Sequence, residues 1–399
     1  MTSSKQNTRE TVFLETIGSE RIYYKQLQSL CSTGIVETCG IRSLCWKILL
    51  NYLPNNRSSW IRVLEKQRQE YNNFLEEVIV QPGLNRTNGP IANAEDHPLN
   101  TNPSSEWNTY FKENSILLQI DKDVRRLCPD ISFFQNATAY PCKMLHLESS
   151  KVESLRKRIE RTGLNSQSLT RKKMGISNLI NTRKQAIEEY ETLMTQGQEA
   201  HWEVVERMLF VYAKLNPGTG YVQGMNEIIG PLYYTFASDP NPKWREYAEA
   251  DTFFCFTLLM GDIRDNFITS LDRSTTGIDA SMRRTMNLLQ RSDPEVRSKL
   301  DKIKIKPEYF LFRWITLLLS QEFPLPDVIH IWDVLFADEN RFDLLIAVCV
   351  GMIMLIRKEL LEKDFSGCVK LLQNYPEHIE IIRVIQEAKN VYKTIHPGS

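Results

Sequence analysis

The stretch HWEVVERMLFVYAKLNPGTGYVQGMNEIIGPLYYTF, from His201 to Phe236, decides the fold class. Trp202, Val205, Leu209, Tyr212 and Leu215 recur at spacings of three and four, so they line one face of an α-helix. Pro217 and Gly218 stop that helix. An apolar helical run resumes after Met225. Between the two, Gln223, Gly224 and Asn226 stand where a buried helix would carry apolar side chains.

The same helical period recurs along the chain. It is readable in SLCWKILLNYL from Ser43, WIRVLEKQRQEYNNFLEEVI from Trp60 and DTFFCFTLLM from Asp251. It returns in EYFLFRWITLLLS from Glu308, PDVIHIWDVLF from Pro326 and FDLLIAVCVGMIMLIRKELL from Phe342. Strand signals are sparse, so the expected fold class is all-α. The chain has 399 residues, 42% of them hydrophobic and 25% charged, which suits a large core in two lobes. Lys and Arg total 49 and so do Asp and Glu, so net charge gives no argument for nucleic acid or an acidic membrane as the main partner.

The N-terminus MTSSKQNTRETVF has no apolar core and does not read as a secretory signal. The longest apolar run, LLIAVCVGMIMLI from Leu344, is too short to span a bilayer and reads as a buried helix. The eight cysteines form no CxxC pair, and several lie inside apolar helical runs. Free thiols in a cytoplasmic protein are therefore expected over a disulfide framework. The six histidines show no metal-ligand spacing.

Two polar segments interrupt the helices. Residues 81–106 are rich in Pro, Asn, Gly and Ser, and residues 162–198 are polar and locally basic around Arg171, Lys172 and Lys173. Both are expected to be flexible inserts; the second could also contact anionic lipid or an acidic partner.

The polar residues near helix ends need separate explanations. Gly218, Gly220 and Gly224 do not have dinucleotide-fingerprint spacing, and no GKS or GKT follows as a phosphate loop requires. Gln223 offers two donors and an acceptor without charge, which suits holding a water and a carbonyl together. Capping the next helix would explain it equally. Asp123 and Arg126 are three apart, so the carboxylate can brace the guanidinium near the helix end set by Pro129. A solvated ion pair is the plainer alternative. Arg42 and Trp46 lie four apart on an apolar helix and suggest a buried structural cation. Arg313, Glu322 and Asp333 sit in apolar surroundings and should be paired. No Ser-His-Asp, Cys-His or paired-carboxylate arrangement can be assembled.

In order along the chain, Arg42-x-x-x-Trp46, Ile120-x-x-Asp123-x-x-Arg126 and Tyr221-x-Gln223-Gly224-Met225-Asn226 resemble the three signature motifs of the TBC (Tre-2/Bub2/Cdc16) domain family. The string from Arg313 through Trp332, Asp333 and Phe336 is similar to the family as well. The resemblance runs from about Gly34 to Leu372. It implies a TBC domain over residues 34–372, an N-terminal extension over 1–33 and a C-terminal helical tail over 373–399. It also implies an all-α, two-lobed fold with a V-shaped groove.

The family activates Rab GTPases, so the resemblance implies a GTPase activator, not an enzyme in its own right. The implied partner is a GTP-bound Rab. No cofactor belongs to this chain, because GTP and Mg²⁺ belong to the partner. Arg126 is implied as an arginine finger and Gln223 as a glutamine finger that orients the attacking water. Asp123, Arg42, Trp46, Tyr221, Gly224 and Asn226 are implied as supporting residues. Membrane association is implied to be indirect, through the Rab, with a cytoplasmic or peripheral endomembrane location and a role in vesicle trafficking. One departure stands out: Leu127 follows Arg126 where the family usually has Thr, which removes a hydroxyl from the finger segment. The alternative is a TBC-fold scaffold that binds a Rab without accelerating hydrolysis; an unrelated helical enzyme lacks a recognisable nucleophile.

Overall fold

The computed structural model describes residues 2–38, 40–79, 106–146, 155–156, 158–159, 198–267 and 277–396. The two polar segments lie outside the described residues, apart from Glu106 and Gln198 at their edges. Among the described residues every regular element is helical, and extended pairing is limited to the isolated bridges Arg21–Asn56 and Ala137–Ala200. The all-α expectation holds.

The chain divides into two compact units, one of residues 1–65 and 227–399 and the other of residues 66–226. The discontinuous unit begins with α1 (Thr2–Gly18), α2 (Tyr24–Cys31) and α3 (Ile41–Leu49). The boundaries fall inside α4 (Trp60–Val78) and, after α5 (Glu106–Val124) and α6 (His201–Leu215), inside α7 (Met225–Ala237). Then follow α8 (Pro242–Arg245), α9 (Ala248–Ile263), α10 (Ile278–Ser292), α11 (Pro294–Lys302) and α12 (Leu311–Thr316). The chain closes with α13 (Leu325–Ala337), α14 (Arg341–Leu355), α15 (Arg357–Glu362), α16 (Phe365–Gln373) and α17 (Ile381–Ile395).

In the discontinuous unit the apolar run Leu344–Ile353 forms α14 and is buried throughout. Its closest neighbour is α17. A Cβ added at Gly351 would stand 3.0 Å from the Ala388 backbone nitrogen, so a side chain there would push the two helices slightly apart. Two sequence expectations about helix length change. The run from Glu308 is α-helical only over Leu311–Thr316, after a short 3-10 turn at Pro307–Tyr309, because Leu318 and Leu319 turn left-handed at φ 49° and 64°. The Leu318 carbonyl then accepts from the Trp332 indole at 3.0 Å. The run from Phe342 breaks at Ile356 into two helices, and Arg357, first in α15, reaches Asp293 at 2.7 Å.

Asp333 of α13 organises the core of this unit. It is fully buried and accepts from Arg42 Nε at 3.0 Å, Trp46 Nε1 at 2.8 Å and the Ile35 backbone N–H at 2.9 Å. Trp46 packs on Trp332 and Phe336 with ring centroids 6.0 and 5.1 Å away. Burial pushes the Asp333 carboxyl up, and the Arg42 charge opposes that rise. Arg42 and Trp46 thus share one carboxylate, and Arg42 is the hydrogen-bonded structural cation that the spacing suggested. Arg313 and Glu322 pair as expected, at 2.6 Å.

In the continuous unit α6 is buried on nearly all sides. Val204, Met208, Phe210 and Val211 are as enclosed as the predicted face, whereas Leu215, placed on that face by its spacing, is 39% exposed. Its N-terminus carries half a capping box: the Ala200 N–H donates to the Glu203 carboxylate at 2.8 Å. His201 stacks on Phe133 with centroids 4.1 Å apart, and burial lowers its pKa to about 4 from 6.5, partly offset by Glu199.

Two measurements check these arrangements. Asp333→Ala strands Arg42 and the Trp46 indole, and is expected to cost about 3–5 kcal/mol in urea unfolding. His201 is neutral in the fold but protonated in the unfolded chain between pH 6.5 and about 4, so its share of stability is present above 6.5 and lost as pH falls through that window. The loss reaches roughly 3 kcal/mol at most. His201→Gln should therefore show a shallower fall in stability across the same window.

Candidate functional site

The polar residues that the motifs single out divide between the two units. Arg42 and Trp46 belong to the discontinuous unit and are committed to Asp333. Asp123, Arg126, Tyr221, Gln223, Gly224 and Asn226 all lie in the continuous unit, and Asp123 bonds three of the others, Arg126, Tyr221 and Asn226.

Helix α5 ends at Val124, five residues before Pro129, so the proline does not end the helix. Arg125 and Arg126 sit in the turn that follows. The Arg126 N–H still reaches the Asp123 carbonyl at 3.3 Å, and its guanidinium donates to Asp123 Oδ1 at 2.5 Å. The Asp123 side chain is 4% exposed and that of Arg126 is 61% exposed. The ion pair is therefore a buried anchor holding an outward cation, which a solvated pair would not be. Leu127 is fully buried behind it, and its N–H bonds to the Val124 carbonyl at 3.2 Å. Leu127, which carries no hydroxyl, thus fixes the segment as an apolar plug.

Arg125 and Arg126 are adjacent but differently employed. Arg125 bonds Asp121 at 2.6 Å and lies over the Trp202 ring at 4.4 Å, in a pocket it shares with buried Glu206. Burial, with Asp121 adding to it, lifts the Glu206 carboxyl well above the usual carboxylate range. The Arg125–Trp202 contact was not legible in the sequence, because the two residues are 77 positions apart.

The second oxygen of Asp123 reaches the loop between α6 and α7. Tyr221 donates its hydroxyl to Oδ2 at 2.8 Å, and buried Asn226 donates its amide to the Asp123 carbonyl at 3.3 Å. Between these two residues the chain makes a four-residue turn, closed by the Met225 N–H on the Val222 carbonyl at 3.1 Å. Gly224 occupies the position of that turn with φ 101°, which a side chain would disfavour. Gln223 is thereby set on the exposed corner. Among the described residues its amide neither caps α7 nor satisfies a loop carbonyl.

The result is one carboxylate that braces an exposed guanidinium on one side and the loop carrying an exposed amide on the other. A planar cation and a neutral donor–acceptor can together engage a developing anion and a polar nucleophile. Neither group is itself a nucleophile.

A family model for the Rab-GTPase-TBC domain matches residues 144–361. The human protein named TBC1 domain family member 13 is 55% identical over 397 residues, covering 98% of this chain and 99% of that protein. A TBC domain-containing protein of Schizosaccharomyces pombe is 34% identical over 90% of this chain and 69% of its own length. The crystal structure of the Ypt/Rab-GAP domain of Gyp1p superposes with a TM-score of 0.67 at 20% identity, covering 98% and 99% of the two chains. That similarity establishes the fold.

Tyr221→Phe removes one donor from a buried carboxylate while keeping the ring. It is expected to cost about 1–3 kcal/mol in chemical denaturation, with no change in helix content by circular dichroism.

Proposed function

The chain belongs to the Rab-GTPase-TBC domain family, and on that premise we propose that it accelerates GTP hydrolysis by a Rab GTPase, supplying Arg126 and Gln223 in trans. The observation that carries this reading is the shared brace on Asp123. An exposed arginine and the turn of an exposed glutamine are tied to one buried carboxylate, so they are presented as a pair.

GTP hydrolysis needs a positioned water and neutralisation of charge on the transferring phosphoryl group. Water attacks the γ-phosphorus, the bond to the β–γ bridging oxygen breaks, and the products are GDP and phosphate. The Arg126 guanidinium suits charge that develops on the γ-oxygens and the bridging oxygen, because its donors form a planar fork and it never loses its proton. The Gln223 carbonyl accepts a hydrogen bond from the attacking water, and its amide N–H donates toward a γ-oxygen. Asp123 stays outside the reaction and limits the conformations of the finger. Pre-fixing an arginine this way lowers the entropy lost when it engages the phosphates. GTP and Mg²⁺ arrive with the GTPase.

Among the described residues no helix is long and apolar enough to cross a membrane. Membrane association in this reading is indirect, through the Rab, with the chain cytoplasmic or peripheral at endomembranes and acting in vesicle trafficking.

The test is single-turnover hydrolysis across a panel of GTP-loaded Rabs. Wild type should accelerate at least one of them, and Arg126→Ala should remove about 10³–10⁵ of that acceleration. Arg126→Lys should fail nearly as badly, because it keeps charge but loses the fork. Gln223→Ala should also collapse the rate without abolishing binding. Tight binding of a GTP-loaded Rab with no acceleration by wild type would replace this reading with that of a scaffold.

A further inference from the structure

A second site lies in the discontinuous unit and shares no residue with the Asp123 network. Helices α10 and α11 and the segment after them enclose an open cleft of about 470 Å³. That volume falls in the range of about 300–1,000 Å³ typical of small-molecule sites. Arg283, Arg297, Lys304 and Lys306 line it against a single carboxylate, Asp301. Asp301 is already paired with Arg297. Among the described residues the side chains of Arg283, Lys304 and Lys306 have no hydrogen-bond or ion-pair partner, and all three residues are exposed. Four cations thus face one carboxylate across the cleft, which leaves it a net positive surface.

The backbone adds an independent observation. Helix α11 ends in a Schellman motif: the Lys304 N–H bonds the Asp301 carbonyl at 3.0 Å and the Ile305 N–H bonds the Leu300 carbonyl at 2.9 Å. The left-handed residue of that motif is ordinarily glycine. Here it is Lys304, at φ 59°. A lysine is strained there and glycine would not be, so stability does not account for the side chain. Attraction to the C-terminal dipole of α11 could explain cations at 304 and 306. It does not explain Arg283, which comes from the first half of α10.

We propose that this cleft binds a polyphosphorylated inositol headgroup, either free or carried on a lipid. Several separated cations match several phosphates, and Arg283 supplies a fork for bidentate contact. Buried Met286 and Ile305, with Pro307, give an apolar floor for the C–H face of a saturated ring. The lining contains no aromatic ring on which a base could stack, which argues against a nucleotide. Asn287, also on the lining, can serve ring hydroxyls or phosphate oxygens.

The experiment titrates inositol trisphosphate into the full chain by calorimetry. In parallel it sediments the chain with phosphatidylcholine vesicles carrying either phosphatidylinositol bisphosphate or phosphatidylserine at equal surface charge. Saturable binding should weaken about ten-fold in each of Arg283→Gln, Lys304→Gly and Lys306→Gln. Lys304→Gly should also melt no lower than wild type, since glycine suits its backbone, so weaker binding there cannot be attributed to unfolding. Binding to the soluble headgroup alone assigns a free inositol phosphate; binding that extends to the bisphosphate vesicles assigns the lipid. Absence of binding to either headgroup probe, equal binding to phosphatidylserine vesicles, or affinity unchanged in all three variants would overturn the proposal.

Discussion

The continuous unit depends on a buried carboxylate. Asp123 is nearly inaccessible to water, and an ionised carboxylate in that position is tolerable only if its oxygens are filled. Arg126 fills one and Tyr221 fills the other. The chain therefore cannot satisfy Asp123 without drawing the end of α5 and the α6–α7 loop together. A requirement of electrostatics and hydrogen bonding becomes a constraint on where a guanidinium and an amide are displayed.

The discontinuous unit uses the same chemistry to a different end. Asp333 also holds an arginine, but the Arg42 side chain is 13% exposed and is further committed to the Ile35 carbonyl. That guanidinium is spent inside the core, with the Trp46 indole as a second donor to the same carboxylate. Arg126 has one described partner and most of its surface in solvent. The two arginines look alike in sequence, each beside an apolar run. What separates a core cation from an available one is the number of partners each unit brings to it.

Neighbouring residues sharpen that difference. Arg125 is held by Asp121 and Trp202, and Leu127 is driven into the core. Arg126 is left between two anchored positions. This is how a short turn after a helix can present one long side chain reproducibly even though long side chains are otherwise costly to order. Buried Leu127 contributes an apolar contact that helps fix the segment on its C-terminal side.

Most of the helices were legible in the chain, because a period of 3.6 is a local property and repeats within a few residues. The sequence also determined that Asp123 could brace Arg126, since three positions along one chain segment set that distance. It could not decide where helices break. Leu318 and Leu319 look like helix interior, and only the Trp332 indole waiting for the Leu318 carbonyl shows why the chain turns there. Nor could it decide between a capping and an exposed role for Gln223. That followed from the turn at Gly224 and from the reach of Tyr221 back to Asp123 across 98 positions. Arg42 and Asp333 are 291 positions apart. Contacts at such separations arise when whole helices pack, and the pairing of polar side chains was decided there, in the tertiary structure, because burial sets which charges must find a partner.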